Sequence, residues 1–163
     1  MAGRAVDATE KALYNFGPGL LTQNYWDKAA NKGKGGWLPR LQAAAGPHKD
    51  KSTDPHAAGR ALDIILFAND PTERDFADRI VQVFLAQRVA MGWIAVIYNG
   101  REWNRAGLEF PRSGDAVNRH VTHIHIEWAK AGVGVDNFAS DLEDALYNEF
   151  SAGNISSGNY AVG

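Results

Sequence analysis

The stretch Trp93-Ile94-Ala95-Val96-Ile97-Tyr98-Asn99-Gly100-Arg101-Glu102-Trp103-Asn104 decides the fold. Two runs rich in branched and aromatic residues flank Asn-Gly, the dipeptide best suited to a type I′ turn because both central residues need positive φ. Residues 93–98 and 101–104 are therefore predicted as antiparallel neighbours. Downstream, residues 106–119 read as a loop containing Gly and Pro, 121–128 as a strand and 137–150 as an amphipathic helix. Upstream, 72–91 carries Phe76, Ile80, Val83 and Phe84 at spacings of three and four, which predicts one helix stopped by Gly92. Residues 60–67 read as a buried strand closed by Asn69-Asp70-Pro71. Further helices are expected over 6–16, 20–30 and 37–45, with a polar loop over 46–55. Strands and helices are segregated and one connection is a tight hairpin, so the fold class is α+β, a small antiparallel sheet flanked by helices. One domain is expected over 1–152, its motif-bearing core at about 46–130, with a flexible tail over 153–163.

Composition narrows the function. Seventeen basic and nineteen acidic side chains leave a formal charge of -2, which offers no bulk attraction for a polyanion, so neither nucleic acid nor a membrane surface is an expected partner. There is no Cys, which excludes disulfide scaffolds, thiolate metal sites and Cys nucleophiles. Any metal must be held by His, Asp or Glu. No run approaches the roughly 20 apolar residues of a membrane span, and residues 1–16 lack the apolar stretch of a secretory signal.

The chain has five His, and four of them fall in two short motifs, His56-Ala-Ala-Gly-Arg-Ala-Leu-Asp63 and His120-Val-Thr-His123-Ile-His125. Residues two apart on a strand share a face, so His123 and His125 project one way while Ile124 and Ile126 project the other. Asp63 lies inside the apolar run 61–67, where an ionised carboxylate is expensive unless something positive sits against it. Arg60, Arg101 or Arg105 could supply that charge by ion pairing. A metal could also supply it: catalytic zinc commonly takes three protein ligands and keeps a fourth position open, and His56, Asp63 and His125 meet that count. Alone, a strand Asp, a His-x-His pair or a loop His each has a plainer explanation. Together they favour a metal site. His48, among Lys and Asp, reads as a solvated loop residue, and Gly59 as a bend or a close backbone approach.

The pattern His-x6-Asp followed by His-x-His resembles the zinc metallopeptidases grouped as lysostaphin, D-Ala-D-Ala metallopeptidase and Sonic hedgehog types. More closely, Asp54-Pro55-His56-Ala-Ala-Gly59-Arg60-Ala61-Leu62-Asp63 resembles the Ser-x-His-x-x-Gly-x-Ala-x-Asp motif of D-alanyl-D-alanine carboxypeptidases and dipeptidases. The triple His120-x-x-His123-x-His125 is similar to that of penicillin-insensitive murein endopeptidases, and to an actinobacterial domain in which a Trp-bearing hairpin precedes the His triple. The resemblance spans about residues 54–128 and implies a hedgehog/D-Ala-D-Ala peptidase-like fold with a sheet that carries a Zn2+ site. It implies His56, Asp63 and His125 as ligands, His123 as an unliganded catalytic residue, and His120 beside it as orienting partner or second general acid. Asp54 stands where the carboxypeptidases have Ser, and Thr122 where they have a catalytic Glu, so the histidine-based variant of the active site is the better fit. Asp54, Arg60 and Trp103 are candidate substrate-binding residues, Trp103 reading either as groove wall or as sheet packing. Glu127 shares strand parity with the His pair and reads either as a ligand's hydrogen-bond partner or as a surface carboxylate.

The expected activity is zinc-dependent hydrolysis of amide bonds in peptidoglycan stem peptides or cross-links. Two other readings compete: a zinc phosphodiesterase or nuclease, and a non-catalytic zinc-containing cell-wall module. The expected chain is a monomer that is made in the cytoplasm without a signal peptide. It would act at the periplasm or cell wall as a phage lysin or a secreted antibacterial effector, with an immunity or delivery protein as partner in the second case.

Overall fold

The computed structural model describes residues 4–16, 22–23 and 60–151. In chain order the elements are α1 (Arg4–Phe16), β1 (Thr22–Gln23), β2 (Ala61–Ile65), α2 (Pro71–Ala86), α3 (Arg88–Met91), β3 (Ala95–Tyr98), β4 (Arg101–Asn104), β5 (Glu109–Pro111), α4 (Ala116–Arg119), β6 (His123–Glu127) and α5 (Ala139–Ser151). The strands form one sheet in the order β1-β2-β6-β3-β4-β5, and every pairing is antiparallel. Helices pack against it, so the architecture is α+β.

The Asn99-Gly100 turn joins β3 to β4 as its residue types demand, with φ of 50° at Asn99 and 77° at Gly100. The alternation in β2 and β6 sorts side chains between two faces. Leu62, Ile64, Ile124 and Ile126, with Val96 and Trp103, join a core completed by Leu13, Phe16, Phe76, Phe84, Leu146 and Phe150 of the helices. Phe16, Phe76 and Phe150 form its aromatic centre, with ring centroids 4.7 to 6.0 Å apart. Such apolar burial, worth about 1.5–3 kcal/mol per large side chain, anchors the strands whose opposite face carries the polar cluster.

Four sequence expectations need correction. Residues 22–23 are not helical: Thr22 and Gln23 pair with Ile64 and Asp63, because the edge of β2 presents backbone groups that a strand satisfies and a helix cannot. The expected loop over 106–119 contains β5, an exposed three-residue edge strand, and the single turn α4, capped by the Asp115 side chain on the Asn118 N–H. The helix over 72–91 is two helices broken at Gln87. The Trp93 indole N–H takes the Phe84 carbonyl at 3.0 Å and the Arg88 guanidinium takes the Leu85 carbonyl at 2.9 Å, so side chains occupy acceptors the helix would have used. Finally, α2 begins at Pro71 with Asp70 as cap, its carboxylate accepting from the Thr72 and Glu73 N–H groups at 3.0 and 3.1 Å. The expected helix over 37–45, the loop over 46–55, the remainder of 20–30 and the C-terminal tail lie outside the described residues.

Candidate metal centre

Asp63 sits mid-strand in β2, directly opposite His125 of β6. The residues sharing its face are Ala61 and Ile65 on β2, His123, His125 and Glu127 on β6, and Ala95 and Ile97 on β3. Asp63 is 1% exposed and His125 6%, so a carboxylate and an imidazole are both taken out of water here. His125 Nδ1 lies 3.3 Å from Asp63 Oδ1, and His123 Nε2 lies 3.6 Å from the same oxygen. Two ligand atoms of a tetrahedral zinc, each about 2.0–2.2 Å from the metal, are about 3.3–3.6 Å apart, so the spacing suits shared coordination.

The two imidazoles differ in what stands behind them. His125 Nε2 is 2.9 Å from Glu127 Oε1 and donates to that carboxylate. His123 Nδ1 is 3.0 Å from the Thr122 hydroxyl, and its side chain keeps 19% exposure against 8% for His125. Burial disfavours the His125 imidazolium, but hydrogen bonds and charges from Asp63 and Glu127 outweigh it and raise the pKa from 6.5 to about 9. The position therefore favours positive charge, as a proton or as a metal ion.

His120 caps α4 in the left-handed region, φ 54° and ψ 58°, a conformation that costs a non-glycine residue energy. Its Nδ1 is 3.1 Å from the Asn118 carbonyl, and its ring packs against those of His123 and His125 at centroid distances of 4.9 and 5.4 Å. Burial, then the neighbouring imidazoles, lower its pKa to about 4, so it is neutral at pH 7 and donates from Nδ1 to that carbonyl. The hairpin turn holds this loop from the other side: Asn99 N–H donates to the His120 carbonyl and Gly100 N–H to that of Arg119, at 3.0 and 2.8 Å.

The arginines proposed as partners of Asp63 are engaged elsewhere or exposed. Arg101 pairs with Asp78 at 2.7 Å, Arg60 donates to the Trp128 carbonyl at 2.7 Å, and Arg105 is exposed. Arg60 thus clamps the start of β2 to the end of β6. Of the two readings of Trp103, its position agrees with sheet packing and not with a groove wall: it points to the opposite face and is 3% exposed in the core, with the Arg101 guanidinium 5.0 Å from its ring. His56 and Asp54 lie outside the described residues. Among the described residues no group of three or more His, Asp or Glu forms a complete metal-holding cluster. Asp63 and His125 supply two donors of the right chemistry and spacing, short of the three that a catalytic zinc commonly takes. Sequence reading missed the hold of the hairpin turn on His120, which has no local signal beyond the Asn-Gly dipeptide itself.

Comparison with protein-family models, curated proteins and solved structures gives no match.

Proposed function

We propose that the chain is a zinc-dependent hydrolase of amide bonds in the peptide part of bacterial cell wall. One observation carries the reading: a buried Asp63 flanked by two imidazoles that offer different nitrogens, one backed by a carboxylate and one by a hydroxyl. A carboxylate behind an imidazole is the usual setting of a metal ligand, and a more exposed imidazole beside it suits proton transfer. His56, Asp63 and His125 would hold the metal. When bound, zinc supplies Lewis acidity that polarises a carbonyl and makes water nucleophilic near neutral pH.

The chain's own residues do the rest. His123 accepts the proton of the attacking water through Nε2 as the new C–O bond forms, then delivers it to the amine as the C–N bond breaks. In that role its Nδ1–H donates to the Thr122 hydroxyl, which fixes the ring plane. His120, neutral and packed edge-on against His123, orients that ring and excludes water from one side of it. The substrate class comes from the motif resemblance and is supported by the near-neutral charge, which does not suit a nucleic acid.

The test is incubation of zinc-loaded protein with purified peptidoglycan, with mass spectrometry of the soluble fragments. New amine termini in stem peptides or cross-links are expected. Cleavage of DNA with intact peptidoglycan would move the protein to the phosphodiesterase class, and peptidoglycan binding without cleavage to a structural module.

A further inference from the structure

We propose that Glu127 is a positioning residue that holds the proton of His125 on Nε2 and so leaves Nδ1 to the metal, an inference that rests on the metal-dependent reading above. Two His stand two residues apart on one strand, yet they turn opposite nitrogens toward Asp63, Nδ1 from His125 and Nε2 from His123. Register decides which nitrogen reaches Asp63, since His125 stands directly opposite it and reaches with the near Nδ1, while His123, opposite Ile65, reaches diagonally with the far Nε2; it does not decide which nitrogen carries a proton. What differs is the second partner. Glu127 Oε1 lies 2.9 Å from His125 Nε2 and, as a carboxylate, only accepts; it therefore holds the Nε2 proton and leaves the Nδ1 lone pair for a cation. The Thr122 hydroxyl beside His123 both donates and accepts, so it imposes no tautomer.

The surroundings keep the Glu127 carboxylate folded back along its own strand. Its cross-strand neighbours are Ala61 on one side and Ala95 on the other, neither large enough to displace it. Its backbone is fixed in turn: Ile94 N–H donates to the Glu127 carbonyl at 2.9 Å, and Trp128 N–H to that of Arg60 at 2.8 Å. Glu127 is thus held by the sheet and holds the imidazole.

The experiment uses the full chain with zinc. Affinity is measured by competition with a chromophoric chelator, and the His125 tautomer by long-range 1H–15N correlation spectra of the zinc-loaded protein. Wild type is expected to bind one zinc with Nε2 of His125 protonated. Glu127→Ala should weaken zinc about 10–100-fold, and Glu127→Gln, which keeps an acceptor oxygen but loses the charge, should fall between. The Gln variant preserves shape and serves if the Ala variant does not fold. Zinc affinities of both variants within about threefold of wild type, or zinc on Nε2 of His125 in wild type, would overturn the role of Glu127 while leaving the metal reading standing. A wild-type chain that binds no zinc would overturn both.

Discussion

In excess chelator, varying pH should reveal the charge preference of the His125 position as an asymmetry in folding stability. His125 has a folded-state pKa of about 9 against 6.5 for the ordinary side chain, so the folded chain holds a proton that the unfolded chain releases. That stabilisation is fully present below pH 6.5 and is lost as pH rises through about 9. At about 1.4 kcal/mol for each pH unit of separation, the whole effect is about 3 kcal/mol. His120 acts in the opposite sense. Its pKa is lowered to about 4, so its stabilisation is present above pH 6.5 and lost as pH falls through about 4. Stability of the chelated protein should therefore peak near pH 6.5. Tyr98, whose phenol is held above its ordinary 10.0 by burial, adds a further loss only beyond that value. The assay is urea unfolding in excess chelator at intervals from pH 5 to 9, with His125→Gln as the variant expected to lose the alkaline slope. Zinc held as proposed would compete with the His125 proton, so stabilisation by added zinc should grow with pH over the same interval. A chelated wild-type protein equally stable at pH 6.5 and 9, or more stable at 9, would refute the reasoning.

Three other outcomes are expected. His123→Ala should lower the rate of amide hydrolysis by about 10²–10⁴-fold with stoichiometric zinc retained, whereas Asp63→Ala should remove the zinc, as metal analysis of the purified variants would show. Trp103→Ala should cost about 3–5 kcal/mol in denaturant unfolding because it empties a core position, and should leave the turnover of the folded fraction near wild type. Gly100→Ala, at φ 77°, should cost about 1–2 kcal/mol in the same assay and reduce hydrolysis more than Trp103→Ala does, because the turn it strains holds the His120 loop.

The parts of this molecule legible in the sequence are those where one local pattern and the tertiary environment agree. The Asn99-Gly100 hairpin is specified by its own dihedral demands, β2 by its continuous branched apolar run and β6 by the alternation of its His pair with Ile. The shared face of Asp63, His123, His125 and Glu127 follows from parity and from the cost of a carboxylate among Leu and Ile. The break at Gln87 was not legible, because it depends on the Trp93 indole and the Arg88 guanidinium reaching back to helix carbonyls. Nor were β1 and β5, whose pairing is dictated by the edges of neighbouring strands and not by any alternation of their own. In the centre, the contacts behind the two imidazoles, Thr122 on His123 and Glu127 on His125, were hidden because no spacing encodes their geometry.

The hold of the hairpin on His120 gives the site a built-in gauge. Backbone amides at the tip of a two-residue turn ordinarily face water and exchange their hydrogens within moments. Those of Asn99 and Gly100 are instead spent on the carbonyls of His120 and Arg119, so they exchange only when the loop bearing His120 lets go. Their exchange rates therefore measure how often the imidazole cluster opens, at two positions that carry none of the chemistry.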